Sequence, residues 1–496
     1  MEKKILSIII ILCGLQGKAR TLLADTLTLD MKETIELAHR QSPLAQSARN
    51  TFLAAYWQYR YYRADYLPSV TITSSPYVNR QINKITQSDG TDIFIKQDQF
   101  GADLSLKINQ KITFTGGSLF VMSSLNRLDE LQNKTTAYST QPLIVGYEQT
   151  LFGYNSLKWN KRIEPIRYRE AKKKYVETLE LLSAKACSYF FSLMLAQNNL
   201  EMAQRNFASA DTLFQMAKGR YSIGTITENE MLQLEINRLN EETNVMDAQI
   251  QIKEMMQSFR SFLSLSQTTE IKLLLPEEVP QFEVPLDKAL ELAHENSPDI
   301  DYYQLTRKEG ESSLAMAKAN VGLRADLYVK LGLSQTGRDI NQAYHNLMDQ
   351  QYASVSVSLP LLDWGRGKGR VKVAKSQLEL INTNVEQGMD DFNQNVQKTV
   401  LQFNMQARRV QIAMLTDKRA EQRHMVASRL YVMGRSSILD LNAAISEKNN
   451  ARRNYINTIS MYWQLYYALR SMTGYDFLKG EAISHSSPEG GGRLEL

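Results

Sequence analysis

"IELAHRQSP" (Ile35–Pro43) and "LELAHENSP" (Leu290–Pro298) are close to the same nine residues, written twice in one chain. Each closes an amphipathic run, MKETIELAHRQSP in the first place and LDKALELAHENSP in the second, and each run breaks at Ser-Pro. Proline interrupts a helix and restricts the residue before it, so both stretches spell a short helix followed by a break. A catalytic motif is rarely needed twice in one chain, whereas a recurring structural unit writes its punctuation twice. Used as a ruler, the pair divides the chain into a first repeat, 25–281, and a second, 282–475. Residues 1–24 stand ahead of them and 476–496 read as a flexible tail.

Both repeats then follow one plan. A longer helix resumes after the break, and the residues next begin to alternate. In LRADLYVKLGL, Ala325, Leu327, Val329, Leu331 and Leu333 fall on one side, and Arg324, Asp326, Tyr328 and Lys330 on the other. Phe100, Ala102, Leu104, Leu106 and Ile108 alternate with Asp103, Ser105 and Lys107 in the same way, as does ASVSVSL at 353–359. Period two with one apolar face is the signature of a strand. The first repeat holds two candidate hairpins, 68–112 and 117–152.

After the strands comes a very long helix in each repeat. Its apolar stripe steps by threes and fours, from Tyr175 through Phe190 to Ala217 in the first and from Leu378 through Val396 to Met414 in the second. That is a coiled-coil seam, and at 1.5 Å per residue some 60 residues make a rod of roughly 90 Å. Both rods stop at matching punctuation, RYSIGTITENEML (220–232) and LYVMGRSSILDLN (430–442). Tyr221 precedes Gly224 as Tyr431 precedes Gly434, and Glu230 stands where Asp440 does. Glycine ends a helix in the left-handed conformation, and Thr225, Thr227, Ser436 or Ser437 can cap the next. Return helices follow, about 230–265 and 438–472.

The composition is that of a folded protein, 43% apolar and 22% charged. A net charge of +5 over 496 residues is too weak to imply nucleic acid as a partner. Lys3 and Lys4 precede the aliphatic run ILSIIIILCGL, too short to anchor in a bilayer and followed by small residues at Gly17, Ala19 and Ala24. This reads as an export signal. Leu12 occupies the place where a lipobox before Cys13 wants a small residue. Without the signal Cys187 is the only cysteine, so no intrachain disulfide is available.

In an exported chain, strands with one apolar and one polar face are either half of a soluble sandwich or staves of a membrane barrel. Too few strands are present to close a barrel, and an open sheet edge in lipid leaves backbone groups unpaired at several kcal/mol each. The rods also carry apolar stripes with too few neighbours in their own chain. Assembly with copies of itself is therefore expected on two grounds.

The double ELAH…SP opening, the TFTGG turn (113–117), the paired Tyr-x-x-Gly-x-x-x-x-x-acid turns and the LPLLDWGRGKGRVKVAKSQ junction (359–377) together resemble the TolC family of outer-membrane efflux proteins. The resemblance spans 27 to about 475. It implies a mainly α protein with a membrane β-barrel: a homotrimer giving four strands per chain to one 12-stranded barrel in the outer membrane of a Gram-negative cell. A coiled-coil α-helical barrel would extend into the periplasm. An inner-membrane transporter and a periplasmic adaptor would complete an efflux or type I secretion conduit. It also implies a periplasmic gate at the two turns, with Tyr431 and Glu230 as links and Asp440 in an acidic ring. Two positions depart from the pattern: the gate arginine's place is Ser436, with Arg435 one residue earlier, and a second ring carboxylate is Ala443.

No enzyme, cofactor or metal site is expected. The histidines at 39, 294, 345, 424 and 485 lack ligand spacing, and His39 and His294 occupy equivalent repeat positions. GRGKGR (365–370) lacks the spacing and hydroxyl of a phosphate loop. The basic run 158–175 reads as a solvated helix start or a headgroup girdle, and Tyr62, Tyr66, Tyr77, Tyr147, Tyr154 and Tyr352 as an interfacial belt. Asp440 has a plainer reading too, as a helix cap. The competing function is a coiled-coil structural or adhesive scaffold without a pore, separable by whether the protein stays soluble without detergent. The sequence names no cargo.

Overall fold

The computed structural model describes residues 26–276 and 279–485. The export signal, Cys13 and positions 486–496 lie outside the described residues. In chain order the elements are β1 (Thr26–Leu29), α1 (Met31–Gln41), α2 (Pro43–Ala64), β2 (Ser69–Thr86), β3 (Asp92–Lys111), β4 (Ser118–Glu130) and β5 (Thr135–Leu151). The first repeat ends with α3 (Ser156–Ser222), α4 (Glu228–Phe262) and β6 (Glu270–Leu273). Then follow α5 (Leu286–Asn296), α6 (Pro298–Ala319), β7 (Arg324–Gly337), the short α7 (Ile340–Ala343), β8 (Met348–Ser358), α8 (Arg366–Val432) and α9 (Ile438–Thr473). A terminal hairpin, β9 (Tyr475–Asp476) and β10 (Glu481–Ala482), closes the described chain.

The helices keep register between halves. Met31 to Leu286 and Pro43 to Pro298 are both steps of 255 residues, whereas Ser156 to Arg366 and Glu228 to Ile438 are both steps of 210. The first half therefore holds 45 residues more than the second, the difference between 255 and 210, all of it between α2 and α3. There the second half has one hairpin, β7–β8, and the first has two, β2–β3 and β4–β5.

Two compact units divide the chain. Residues 49–177 and 290–396 form the body of one. Its centre is a six-stranded antiparallel meander, ordered β2-β3-β4-β5-β7-β8. The four strands per chain implied by the family resemblance are thus corrected to six, and both hairpins read from the alternation are present. Helices meet this sheet at the ends of β2, β5, β7 and β8, and because the strands alternate in direction, all four junctions fall at one end. The junction before α8 is made by Asp363, whose carboxylate accepts from the amides of Gly365 (3.0 Å) and Gly367 (2.7 Å). A side chain fills the place a phosphate would take in GRGKGR. Backbone hydrogen bonds from Gly367 and Gly365 hold that carboxyl below its usual range.

The basic run at the start of α3 is not simply solvated. Arg169 and Lys173 reach Asp301 on α6, at 2.5 and 2.8 Å, and Arg167 reaches Glu309. Burial by itself would raise the Asp301 carboxyl, but the two cations hold it below the ordinary value. The equivalent of His39 also sits here: His294 on α5 meets Asn393 Oδ1 on α8 at 2.8 Å.

Residues up to 48, 178–289 and 397–483 form the other unit. Asp30 opens α1 with a capping box, its carboxylate accepting from Glu33 N–H while Glu33 accepts from Asp30 N–H. His39 packs its ring nitrogen against Ser183 Oγ (2.8 Å) and the Leu179 carbonyl on α3. Phe190 of α3, Phe259 of α4, Phe403 of α8 and Tyr462 of α9 are fully buried, and the rings of Phe403 and Tyr462 pack at 5.2 Å. Cys187, also on α3, is buried, and burial pushes its thiol up. β1 and β6 pair in parallel beside the helices, and Gln197 of α3 clasps β6, donating to the Ile271 carbonyl at 2.7 Å.

The tail expectation starts too early. Asp476, where the flexible segment was expected to begin, is buried and held by Tyr466 (2.6 Å) and Arg470 (2.9 Å). Arg470 also forks onto Glu180 of α3, at 2.7 and 3.1 Å. Burial pulls the Arg470 guanidinium down, but the Glu180 charge and hydrogen bonds more than offset that and raise it.

Candidate functional site: a lipid-facing sheet and two helix turns

In the part of the sheet next to the helices, the strands sort most of their side chains into one apolar and one polar face, with Ser74, Ser123 and Arg127 among the polar residues on the apolar side. Val70, Ile72 and Val78 of β2 stand opposite Ile108, Leu106 and Phe100 of β3. Leu104 and Ile108 stand opposite Leu125 and Val121 of β4, and Val121 opposite Val145 of β5. Val145 and Tyr147 continue to Leu331 and Val329 of β7, and Ala325 and Leu327 to Val357 and Val355 of β8. This face is apolar and open: Ile72 is 70% exposed, Val78 70% and Val357 65%. An exposed apolar face spanning six strands is far larger than the scattered apolar residues of a soluble surface. Phe114, Phe152, Leu361, Leu362 and Trp364 are exposed at the helix-bearing end, so the apolar girdle there is wider than the tyrosines implied. Tyr66 and Tyr154 instead turn inward, bonding the Leu157 carbonyl (2.8 Å) and Ser312 (2.6 Å).

The opposite face carries Thr71, Thr73, Asp103, Lys107, Asn126, Lys330, Ser354 and Ser356. Its one buried aromatic, Phe120, lies flat across Gly146, where a Cβ would stand 2.2 Å from the ring. Tyr328 stacks on Phe120 at 6.0 Å, and the Lys107 ammonium sits 4.5 Å over it. Polar on one side and apolar on the other over strands of 11–20 residues, the sheet has the pattern of lumen and lipid.

The two turns belong to the other unit and share one backbone. Gly224 N–H donates to the Tyr221 carbonyl (2.9 Å) and Thr225 N–H to Arg220 (2.9 Å). Gly434 N–H donates to Tyr431 (3.0 Å) and Arg435 N–H to Leu430 (2.9 Å). Gly224 and Gly434 have φ of 72° and 71°, the left-handed values that favour glycine. Each return helix opens on a capping box, Thr227 with Glu230 and Ser437 with Asp440. Both acids predicted for the site are thus engaged as caps, and both stay exposed. Hydrogen bonds from Ser437 lower the Asp440 carboxyl, with smaller contributions from Ser436 and Arg423.

Tyr431 is half-buried, and burial raises its phenol; Arg220 and Glu230 act on it from the other turn. The direct tie between the turns is Arg220, whose Nη2 donates to the Val432 carbonyl at 3.1 Å. Sequence reasoning missed it. The available signal was that Arg220 is the one charged residue that immediately precedes a turn tyrosine, with Leu430 in the matching place. Among the described residues, no group of three or more His, Cys, Asp or Glu is placed to hold a metal ion.

A lipid-facing sheet whose strands run directly into coiled-coil helices defines an outer-membrane channel protein. The model of the outer membrane efflux protein family matches residues 115–263 and 289–475, more than half of the chain, and the protein belongs to that family. Three solved structures share the fold at low identity. A membrane protein from Pseudomonas aeruginosa is 15% identical, with 91% of each chain covered and a TM-score of 0.64. The outer membrane protein VceC of Vibrio cholerae is 15% identical, covering 90% of this chain and 96% of that one, at 0.63. The CmeC outer membrane channel of Campylobacter jejuni is 13% identical, covering 90% and 85%, at 0.64. No curated protein matches the chain in sequence. The protein is a TolC-like efflux channel of the outer membrane that extends into the periplasm.

Proposed function

We propose that three copies form a passive exit duct that receives its substrate from an inner-membrane transporter through a periplasmic adaptor. The observation that carries this reading is the continuous, exposed apolar face of the sheet, which needs lipid on one side and further strands at its edges. In this reading the duct is passive and the inner-membrane transporter supplies the driving force. The Tyr-x-x-Gly turns form the periplasmic gate, with Asp440 facing the axis, Tyr431 and Glu230 beside the Arg220 tie, and Arg435 next to the turn glycine. Three Asp440 carboxylates around a narrow axis repel one another and attract cations.

In detergent the purified protein should have the mass of three chains, and in a planar bilayer it should conduct ions. Asp440→Ala should lower cation selectivity and weaken block by divalent cations. A monomer with intact secondary structure that stays in solution without detergent would favour the pore-free scaffold. Deleting the gene should sensitise cells or stop secretion as deletion of the cognate transporter does.

A further inference from the structure

The β2–β3 hairpin accounts for the 45 residues that the second half lacks, and it lies outside the stretch that matches the family model. It is nevertheless built as a barrel element. Its pairing with itself is unbroken from Ser69–Asn109 to Thr86–Asp92, and β3 pairs with β4 from Lys111–Ser118 to Gln99–Glu130. Its apolar and polar faces continue those of the other four strands. The consequence is that β4 has no free edge. The free edges of the sheet are β2 and β8.

We infer that three chains close a barrel of eighteen strands, β8 of each adding to β2 of the next, in place of the twelve that four strands per chain would give. This rests on the trimer proposed above. Three features of the chain fit the junction. β2 leaves the helix-bearing end and β8 returns to it, so the two strands meet antiparallel. Six strands per chain is an even number, so the alternation survives around the ring. The faces also agree, since Val355 and Val357 would continue the apolar side of Val70 and Ile72. A twelve-stranded closure would have to strip β3 from β4 along the whole length of β4 so that β4 could take the next chain's β8, leaving the displaced β2–β3 hairpin with unpaired edges.

Barrel diameter grows roughly linearly with strand number, so this barrel is about half again as wide as one of twelve strands. The membrane segment is then no constriction, and discrimination falls to the helix turns. The β2–β3 hairpin also outruns β4. The pairs from Arg80–Asp98 to Thr86–Asp92 extend beyond the last β3–β4 pair, a reach of roughly 24 Å at about 3.4 Å per residue, away from the helices. Cross-strand ion pairs stiffen this tip, Arg80 with Asp98 at 3.0 Å and Lys84 with Asp92 at 2.5 Å.

Cysteine cross-linking of the full chain tests the closure. Ser356→Cys in β8 is combined with single cysteines scanned along 69–73 of β2 or along 118–122 of β4, and the detergent-purified protein is mildly oxidised. The β2 scan should give inter-chain bands at one register and the β4 scan none. A cross-link to β4, or none in either scan from material with the mass of three chains, overturns the eighteen-stranded closure and leaves the trimer standing. Unmodified protein without that mass overturns the assembly itself. Strand counting in a cryomicroscopy map of the unmodified trimer reads the same number independently, eighteen against twelve.

Discussion

α3 and α4 repeat in α8 and α9 at a constant step of 210 residues, so each position of the first helix pair can be set against its counterpart. The backbones agree down to the hydrogen bonds of the turns. The side chains do not. Glu180 is buried while Asp390 is exposed; Arg470 is locked between two carboxylates while Arg260 bonds the Thr269 carbonyl. Phe214 is core, and its counterpart is His424. A rod of this kind fixes where its backbone goes through its stripe and its caps, and so leaves the remaining positions free to diverge. The second pair carries His424 and Lys448 where the first has Phe214 and Arg238, the first alone has Arg220, and Glu180 of the first is tied to Arg470 of the second.

The largest difference should appear between Glu180 and Asp390. Removing one partner of a buried ion pair costs up to about 3–5 kcal/mol, and because Arg470 keeps Asp476 the loss falls below that figure, whereas an exposed acid costs within about 0.5 kcal/mol. Glu180→Ala should therefore lower the guanidinium midpoint of the detergent-solubilised protein sharply, and Asp390→Ala should leave it in place. Equal effects would show that the two helix pairs are energetically alike despite their side chains.

The turn glycines test the opposite expectation, that the backbones are equivalent. A residue with a Cβ pays roughly 1–2 kcal/mol to hold the left-handed conformation. Nothing stands within 4 Å of a Cβ built on either glycine, so no clash adds to that strain. Gly224→Ala and Gly434→Ala should lose the same amount, read as unfolding midpoints. A clear inequality would mean that one turn relaxes where the other is held.

Much of this was legible in the sequence, and the reasons are local. The rods, turns and strand faces follow from periods and punctuation, which neighbouring residues dictate. Alternation alone found both hairpins of the first half, while the four-strand expectation came from resemblance and left one of them out. At the two turns, matching one to the other located the glycines, tyrosines and acids, and the gate role proposed for them came from the resemblance. Arg220 and the Glu180–Arg470–Asp476 network were not, because each joins residues on different elements and leaves no period in the chain. The buried start of the tail was hidden for the same reason.

Arg220 itself should show a smaller effect. Its hydrogen bond to the Val432 carbonyl is worth about 1 kcal/mol, so Arg220→Leu, which copies position 430, should shift an opening equilibrium by roughly fivefold. Single-channel recordings would show more frequent opening with unchanged open conductance. If Tyr431→Phe with Glu230→Ala raises opening and Arg220→Leu does not, the tie between the turns runs through the tyrosine instead.

The smallest effect is a response to acid, and it separates His424 from Phe214. In the first pair the Phe214 ring receives cations on its face, the Lys218 ammonium at 4.6 Å and the Arg238 guanidinium at 6.0 Å. In the second, the counterpart of Arg238 is Lys448, and it acts on a ring that can itself become charged. Burial first, and then the Lys448 charge, hold the His424 imidazole below its ordinary value of 6.5, against a smaller pull upward from Glu421 on its own helix. Its Nδ1 is buried without a hydrogen-bond partner among the described residues. Lys448 is itself lowered, chiefly by burial, with Glu421 and Glu241 raising it and Arg205 lowering it. As the pH falls through the ordinary histidine range, the unfolded chain takes up a proton that the packed helices refuse, so stability falls with it. Partial exposure keeps the effect below about 1 kcal/mol. His424→Phe, which copies position 214, should flatten the dependence of the unfolding midpoint between about pH 7 and pH 5 and leave the value at pH 8 nearly unchanged. An unchanged slope in that variant would place the acid response in other groups, and the two helix pairs would then differ here in packing alone.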